Sequence, residues 1–265
     1  MSTVAHTARD VCHVLREDVE LAQDVPTAQR EQAVEQCLAR VLRIAPGGWP
    51  ARRTGAPRDG IGLLVLRGLL IRRVGIDGRF GAELLGEGDL LRPWQGEDEL
   101  PTLPLKTGWR VLTPTRAAVL DRPFACRLAP YPQVSARLVG RALRRSRNLA
   151  VNMAIVHQAR VDVRLHMLFW HLAGRWGRVR TDGVLLGLRL THTVLADLVA
   201  ARRPTVTSAL TELSRQGLVR SAQGGWLLTG DPPGELLELV AVPERLSAGA
   251  PASGAQSARL EAEPA

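Results

Sequence analysis

At 265 residues the chain is long enough to bury two modest cores. Its net charge of +9 attracts polyanions, but Lys106 is the sole lysine, so the placement of the arginines says more than their number. Cys12, Cys37 and Cys126 are too few and too scattered for a disulfide framework, and neither a signal peptide nor a bilayer-long apolar run is present, so the expectation is a soluble, cytoplasmic protein.

From the amino terminus, residues 1–44 read as helices. Val11, Val14, Leu15 and Val19 share one face, and Thr27 is placed to cap a second helix carrying Ala33, Val34, Cys37, Leu38, Val41 and Leu42. Cys12 beside His13 is not a metal pair, because neighbours on a helix diverge and no second pair follows at zinc-finger spacing. Residues 46–128 change character: short apolar runs at 62–66, 69–74, 82–85 and 109–112 alternate with Gly, Asp and Pro turns. They predict strands of an antiparallel roll or barrel, with Asp77-Gly78 as a hairpin corner. Arg92, Trp94 and Trp109, with Leu149 from the next element, are candidates to line a pocket for an apolar or aromatic effector, although tryptophans at strand ends more commonly serve the core.

Pro132 closes the roll, and residues 134–157 predict one helix about 36 Å long. Leu138, Ala142, Leu149, Met153 and Val156 fall at steps of four, seven, four and three, near a coiled-coil seam, and predict a homodimer; Asn152 is polar enough to fix its register. Residues 160–176 then carry Val161, Leu165, Leu168, Phe169 and Leu172 on one apolar face. His157, His166 and His171 lack the i, i+4 spacing of a helix-borne metal pair, and no metal site is expected.

Short strands with a corner at Asp182-Gly183 lead into the most informative stretch. Thr191 reads as the N-cap of a helix over residues 192–200, with Leu195, Leu198 and Val199 inside. Ala201, Arg202 and Arg203 make a corner, and Pro204 suits the first position of a second helix that runs to Gln216 and stops at Gly217. Val206, Leu210 and Leu213 face inward, which leaves Arg203, Thr205, Thr207, Ser208 and Thr211 outside. That face is hydroxyl-rich and arginine-flanked, as contacts to phosphates and base edges in a major groove require. Thr191, Arg202 and, on a wing hairpin around Gln223-Gly224-Gly225, Arg220 complete the DNA-binding set. Beyond residue 246 an Ala, Gly, Ser and Pro tail reads as disordered.

Residues 190–219, LTHTVLADLVAARRPTVTSALTELSRQGLV, resemble the helix-turn-helix of the cyclic-AMP receptor protein/FNR (Crp/Fnr) superfamily of bacterial transcription regulators. Arg203, Thr205 and Val206 fall on its Arg-x-Thr-Val start and Gly217-Leu218-Val219 on its exit. Residues 62–91, GLLVLRGLLIRRVGIDGRFGAELLGEGDLL, resemble the superfamily's cyclic-nucleotide-binding roll, including the turn Gly86-Glu87-Gly88-Asp89. The resemblance implies an α+β chain: a sensor unit over 1–132 (helices 1–44, roll 46–128), a dimerisation helix over 133–159, a winged-helix DNA-binding unit over 160–246 and a tail over 247–265. It implies a homodimeric regulator that reads a palindromic operator and is nucleoid-associated when bound. Its partners would be double-stranded DNA, a second copy, a small-molecule effector and RNA polymerase, with no membrane.

Two departures matter. Where well-studied members carry a second arginine this chain has Ser208, which alters the expected operator. After the roll turn, LLRPWQGEDELPTLPLKTGW puts Arg92-Pro93-Trp94 where the superfamily's acidic ribose-binding turn belongs and offers no Arg-Ser pair. Pro93, Pro101 and Pro104 lack the N–H donors that a buried phosphate needs, and Leu149 and Ala150 stand where the helix hydroxyls that meet adenine are expected. Cyclic AMP is therefore not expected as a tight ligand. Three cysteines cannot supply the four thiolates of an iron–sulfur cluster, and no cofactor is assigned. No G-x-S-x-G elbow, Walker loop, H-E-x-x-H or carboxylate pair argues for an enzyme. Two other readings stay open: an architectural DNA binder with little sequence choice, and an enzyme carrying a DNA-binding unit.

Overall fold

The computed structural model describes residues 10–51, 59–76, 79–94, 106–234 and 236. Its first element is a strand, β1 (Val11–His13), followed by helix α1 (Val14–Glu17), a 3₁₀ turn over Val19–Ala22, helix α2 (Thr27–Gln36) and strand β2 (Leu38–Ile44). This corrects the all-helical reading of the segment. Leu38, Val41 and Leu42 suit a helical face, but Cys12 sits opposite Ala39 in an antiparallel pair and β2 continues into the main sheet, with Val41 opposite Ala118. Pairing across the sheet overrides the local spacing. Pro26, not Thr27, holds the cap position of α2 and makes no side-chain bond there. The His13 Nδ1 lies 3.0 Å from the Val34 carbonyl oxygen, and among the described residues no group of His, Cys, Asp and Glu is arranged to hold a metal ion.

Strands β3 (Gly47–Gly48), β4 (Gly62–Ile76), β5 (Arg79–Gly86), β6 (Leu90–Leu91) and β7 (Lys106–Leu120) complete a seven-stranded antiparallel sheet of order β1-β2-β7-β4-β5, with β3 on β7 and β6 on β4. The runs at 62–66 and 69–74 are one strand, kinked by bulges between Val65 and Leu70. Gly68 sits there at φ +117°, and a Cβ would come within 2.3 Å of the Thr115 Oγ1, so only glycine lets the strand bend. Side chains alternate across the strand, so Leu64 and Leu66 enter a core shared with the amino-terminal elements, and Leu63 and Val65, with Leu70 beyond the bend, a second one with Trp49 and Val111. Asp77 and Gly78 lie outside the described residues; the strands they join pair Ile76 with Arg79. The strands end at Leu120. Asp121 accepts from the Phe124 N–H at 3.0 Å and caps a helix, α3 (Arg122–Leu128), in a stretch the sequence reading had placed in the roll.

The long helix α4 (Pro132–Val156) corrects the proposed seam. Leu138 is 3% exposed and packs in the chain's own core with Val134 and Phe124. The row that faces water is Val139, Leu143, Ser146, Ala150 and Met153, all exposed, at steps of four, three, four and three. Ala142, Leu149 and Val156 flank it.

Helix α5 (Val161–Trp176) begins the carboxy-terminal unit, with β8 (Gly177–Arg180), β9 (Gly183–Leu186), α6 (His192–Leu198), α7 (Arg203–Arg215), β10 (Val219–Ala222) and β11 (Gly225–Leu228). Its four strands are ordered β10-β11-β9-β8. Leu165, Leu168, Phe169 and Leu172 of α5 share one core with Val206, Leu210 and Leu213 of α7, and that core reaches Leu69, Ile71 and Leu84 of the roll. The residues proposed as a disordered tail lie outside the described part of the chain.

Burial pushes the Cys12 and Cys37 thiols up to about 11, whereas Cys126 is exposed. Since the thiolate is the reactive form, iodoacetamide near neutral pH is expected to modify Cys126 alone in the folded protein and all three cysteines in denaturant. Rapid modification of a second thiol under native conditions would contradict the packing of β1 and β2.

Candidate nucleic-acid interface

Helix α6 starts where its chemistry demands. The Thr191 Oγ1 accepts from the Val194 N–H at 3.3 Å, satisfying one of the orphan donors of the first turn. It stops two residues earlier than its apolar spacing implies. Ala200 takes φ +51°, the Ala201 N–H donates to the Ala196 carbonyl at 3.0 Å and the Ala200 N–H to the Asp197 carbonyl at 3.4 Å. That is a Schellman turn with alanine in the left-handed position glycine usually takes. The corner is therefore built at Ala200. Arg164 of α5 reinforces it, its guanidinium donating to the Gln158 and Val199 carbonyls at 2.6 and 3.2 Å.

Helix α7 follows with Pro204 as its second residue, still within the turn where no N–H partner is lost. Gly217 ends it at φ +75°. Val206, Ala209, Leu210 and Leu213 are buried, while Arg202, Arg203, Thr205, Thr207, Ser208 and Thr211 are exposed along the opposite face. The hydroxyls are engaged with the helix itself: Thr207 donates to the Arg203 carbonyl at 3.1 Å, Ser208 to that of Pro204 at 3.3 Å, and Thr211 to that of Thr207 at 3.1 Å. The His192 Nδ1 lies 2.9 Å from the Thr207 Oγ1. His192 was missed by sequence reasoning, because its partner lies on another helix and no spacing rule joins them.

The wing is the β10–β11 hairpin. Trp226 there packs on Phe169, with ring centroids 5.1 Å apart, and ties the wing to α5. Arg220 is exposed on β10, 3.6 Å from Asp182 across the sheet. Every residue of the sequence-derived DNA-binding set thus lies at the surface of one helix-turn-helix and its wing.

The residues put forward for an effector pocket are less well gathered. Arg92 is exposed and donates to the Gly60 carbonyl at 3.4 Å. Trp94 and Trp109 pack on the apolar cluster around Trp49, whose ring meets that of Trp109 edge-on at 5.5 Å. Leu149 lines a separate cavity of about 180 Å³ with Arg72, Glu83 and Met153. Glu83 is buried there between Arg72 and Arg145, at 2.5 and 2.6 Å. The roll turn is the better-defined feature. Asp89, 7% exposed, accepts from the Gly86 N–H at 2.7 Å and from Arg175 of α5 at 2.9 Å, while Arg141 of α4 donates to the Gly88 carbonyl at 3.3 Å.

The comparisons agree with this geometry. Residues 163–234 match the family described as the Crp-like helix-turn-helix domain. The chain is 28% identical over 197 residues, 71% of its length and 87% of the relative's, to a protein of Mycobacterium tuberculosis named as a CRP-like cAMP-activated global transcriptional regulator. The carboxy-terminal unit thus carries a Crp-like helix-turn-helix domain. Solved structures share its fold. A CooA variant from Carboxydothermus hydrogenoformans aligns with a TM-score of 0.60 at 16% identity, covering 88% of this chain and 95% of that one. A CRP-family regulator from Thermus thermophilus aligns with a TM-score of 0.50 at 21% identity, covering 74% and 93%. Among the described residues no helix is long and apolar enough to cross a membrane.

Two substitutions test the helix-turn-helix geometry in opposite directions. Thr191→Ala, which deletes the cap oxygen, is expected to cost about 1 kcal/mol. Ala200→Gly, which relieves a left-handed alanine, is expected to add about 1 kcal/mol. Thermal unfolding reads both; a destabilising Ala200→Gly would contradict the turn.

Proposed function

We propose that this regulator works as a homodimer that reads a two-fold symmetric operator, from the cytoplasm and on the nucleoid. The observation that carries the reading is the face of α7, polar and exposed along its length on a helix whose other side is fully built into a core. The second copy is supported by α4. Val139, Leu143 and Met153 are 59, 60 and 62% exposed in one heptad row, an apolar stripe that a monomer has no reason to keep in water. Dimerised there, two α7 helices would enter successive major grooves about 34 Å apart. The units are then a sensor over 1–132, a dimerisation helix over 133–159 and a DNA reader over 160–246. RNA polymerase is the partner through which a bound dimer would act.

Cyclic AMP activation belongs to the name of the mycobacterial relative. In this chain Leu149 and Ala150 replace polar helix groups and Arg92 is turned toward Gly60, so the roll is proposed to answer to a different small molecule, one that shifts the balance between DNA-competent and incompetent arrangements. Isothermal calorimetry is expected to show no micromolar cyclic AMP binding; a micromolar titration would overturn this part.

Leu143→Glu leaves the monomer core untouched and is expected to shift the protein from dimer to monomer in sedimentation, with loss of operator affinity. A wild-type protein that sediments as a monomer at micromolar concentration would contradict the α4 interface. Arg203→Ala is expected to cost about 1–3 kcal/mol and to relax one operator position. Arg220→Ala should weaken all duplexes alike and flatten the salt dependence by about one phosphate contact. If Arg203→Ala leaves discrimination against random DNA unchanged, the reader is not α7.

A further inference from the structure

We infer that on α7 Arg203 donates to the half-site and Ser208 and Thr211 accept from it, while Thr207 is assigned to a clamp with His192. The inference rests on the proposed placement of α7 in the groove and adds the chemistry of the bases it selects.

A serine or threonine hydroxyl has one proton and two lone pairs. On the exposed face of α7 three hydroxyl protons are committed to a carbonyl one turn back, Thr207 to Arg203, Ser208 to Pro204 and Thr211 to Thr207. Ser208 and Thr211 therefore present lone pairs to an incoming base. Thr207 is engaged twice. Its proton is on the Arg203 carbonyl, so the hydrogen shared with His192 at 2.9 Å belongs to the imidazole, which is held as the Nδ1–H form. His192 is in turn seated beside the Trp226 ring, 6.4 Å between centroids, which fixes the ring between α7 and the wing. The contact is a clamp that sets α6 against α7. His192 is a positioning residue, and Thr207, with its proton and one of its two lone pairs used within the protein, is assigned to the clamp rather than to readout.

In the major groove the donors are the exocyclic amines, adenine N6 and cytosine N4; guanine N7 and O6 and thymine O4 only accept. A hydroxyl whose proton stays on the helix can accept from an amine and cannot donate to guanine or thymine. Arg203 has no acceptor and suits guanine N7 and O6. The half-site is thus expected to present guanine to Arg203, and adenine or cytosine on the strand that meets Ser208 and Thr211. Every base pair carries one amine, so these two residues choose the orientation of a pair rather than its composition.

The test combines selection from randomised duplex DNA with base analogues. For the wild-type protein, Ser208→Ala and Thr211→Val, the positions that lose information are identified. At those positions the amine is then deleted, by purine for adenine or 2-pyrimidinone for cytosine. Each deletion is expected to weaken the wild-type protein about fivefold, the net worth of one hydrogen bond, and to leave the matching variant unaffected. Thr207→Val and His192→Ala are expected to lower affinity for all duplexes without flattening any position. The double variant should be no worse than either single one, and His192→Asn, whose amide can replace the Nδ1–H, should restore affinity. A flattened position at which deleting the amine leaves the wild-type protein unaffected, or a position flattened by Thr207→Val, would overturn the inference alone. If the wild-type protein retains no motif, the placement of α7 in the groove fails with it.

Discussion

The carboxylate of Asp89 is the point on which the arrangement of the chain depends. It is buried, and a buried charge is tolerated only when it is fully paired. Its partners come from two units: the Gly86 N–H of its own turn and the Arg175 guanidinium of α5. The main chain of the same turn is locked to β4, with the Val65 N–H on the Asp89 carbonyl at 2.9 Å and the Gly88 N–H on the Val65 carbonyl at 2.7 Å. Arg141 then joins the turn to α4 and to Asp18 near the amino terminus. Four residues of sheet edge thereby meet the first segment of the chain, the long helix and the first helix of the DNA reader. A change in the roll has a direct route to α5, and through the core shared by α5 and α7 to the recognition face.

A second contact between roll and reader lies on the other side. Arg73 of β4 is 3.3 Å from Asp197 of α6, and burial holds the Asp197 carboxyl above the usual range despite Arg73. Between these contacts runs a cleft of about 740 Å³ lined by Asp89, Arg141, His171 and Arg175, where burial pushes the His171 imidazole down. The reader is thus fastened to the roll by ion pairs and by an apolar core that runs from Leu69, Ile71 and Leu84 into α5 and α7.

The helix-turn-helix was legible because its signals are local. Thr191 at a cap, Pro204 in a first turn and Gly217 at a stop act within a few residues of themselves, and the structure places each where that chemistry puts it. The corner at Ala200 was not legible, since the left-handed position carries no glycine to mark it. The amino-terminal strands failed for the opposite reason: β2 is a strand because β7 lies beside it, and Val41 alone does not reveal Ala118. Leu138 and Val139 are adjacent on a helix with compatible periods, and only the contact with Phe124 and Val134 decides which of them faces inward. His192 was invisible for the same reason, its partner Thr207 being brought to it by the turn.

As proposed above, two copies of α7 occupy successive major grooves of one duplex. Methylation protection at guanine N7, on the duplex best retained from a random pool, tests it most directly because that atom lies in the major groove. The account predicts two protected patches centred about 10 base pairs apart on one face of the duplex. A single patch, or no protected guanine N7 on the retained duplex, would contradict it.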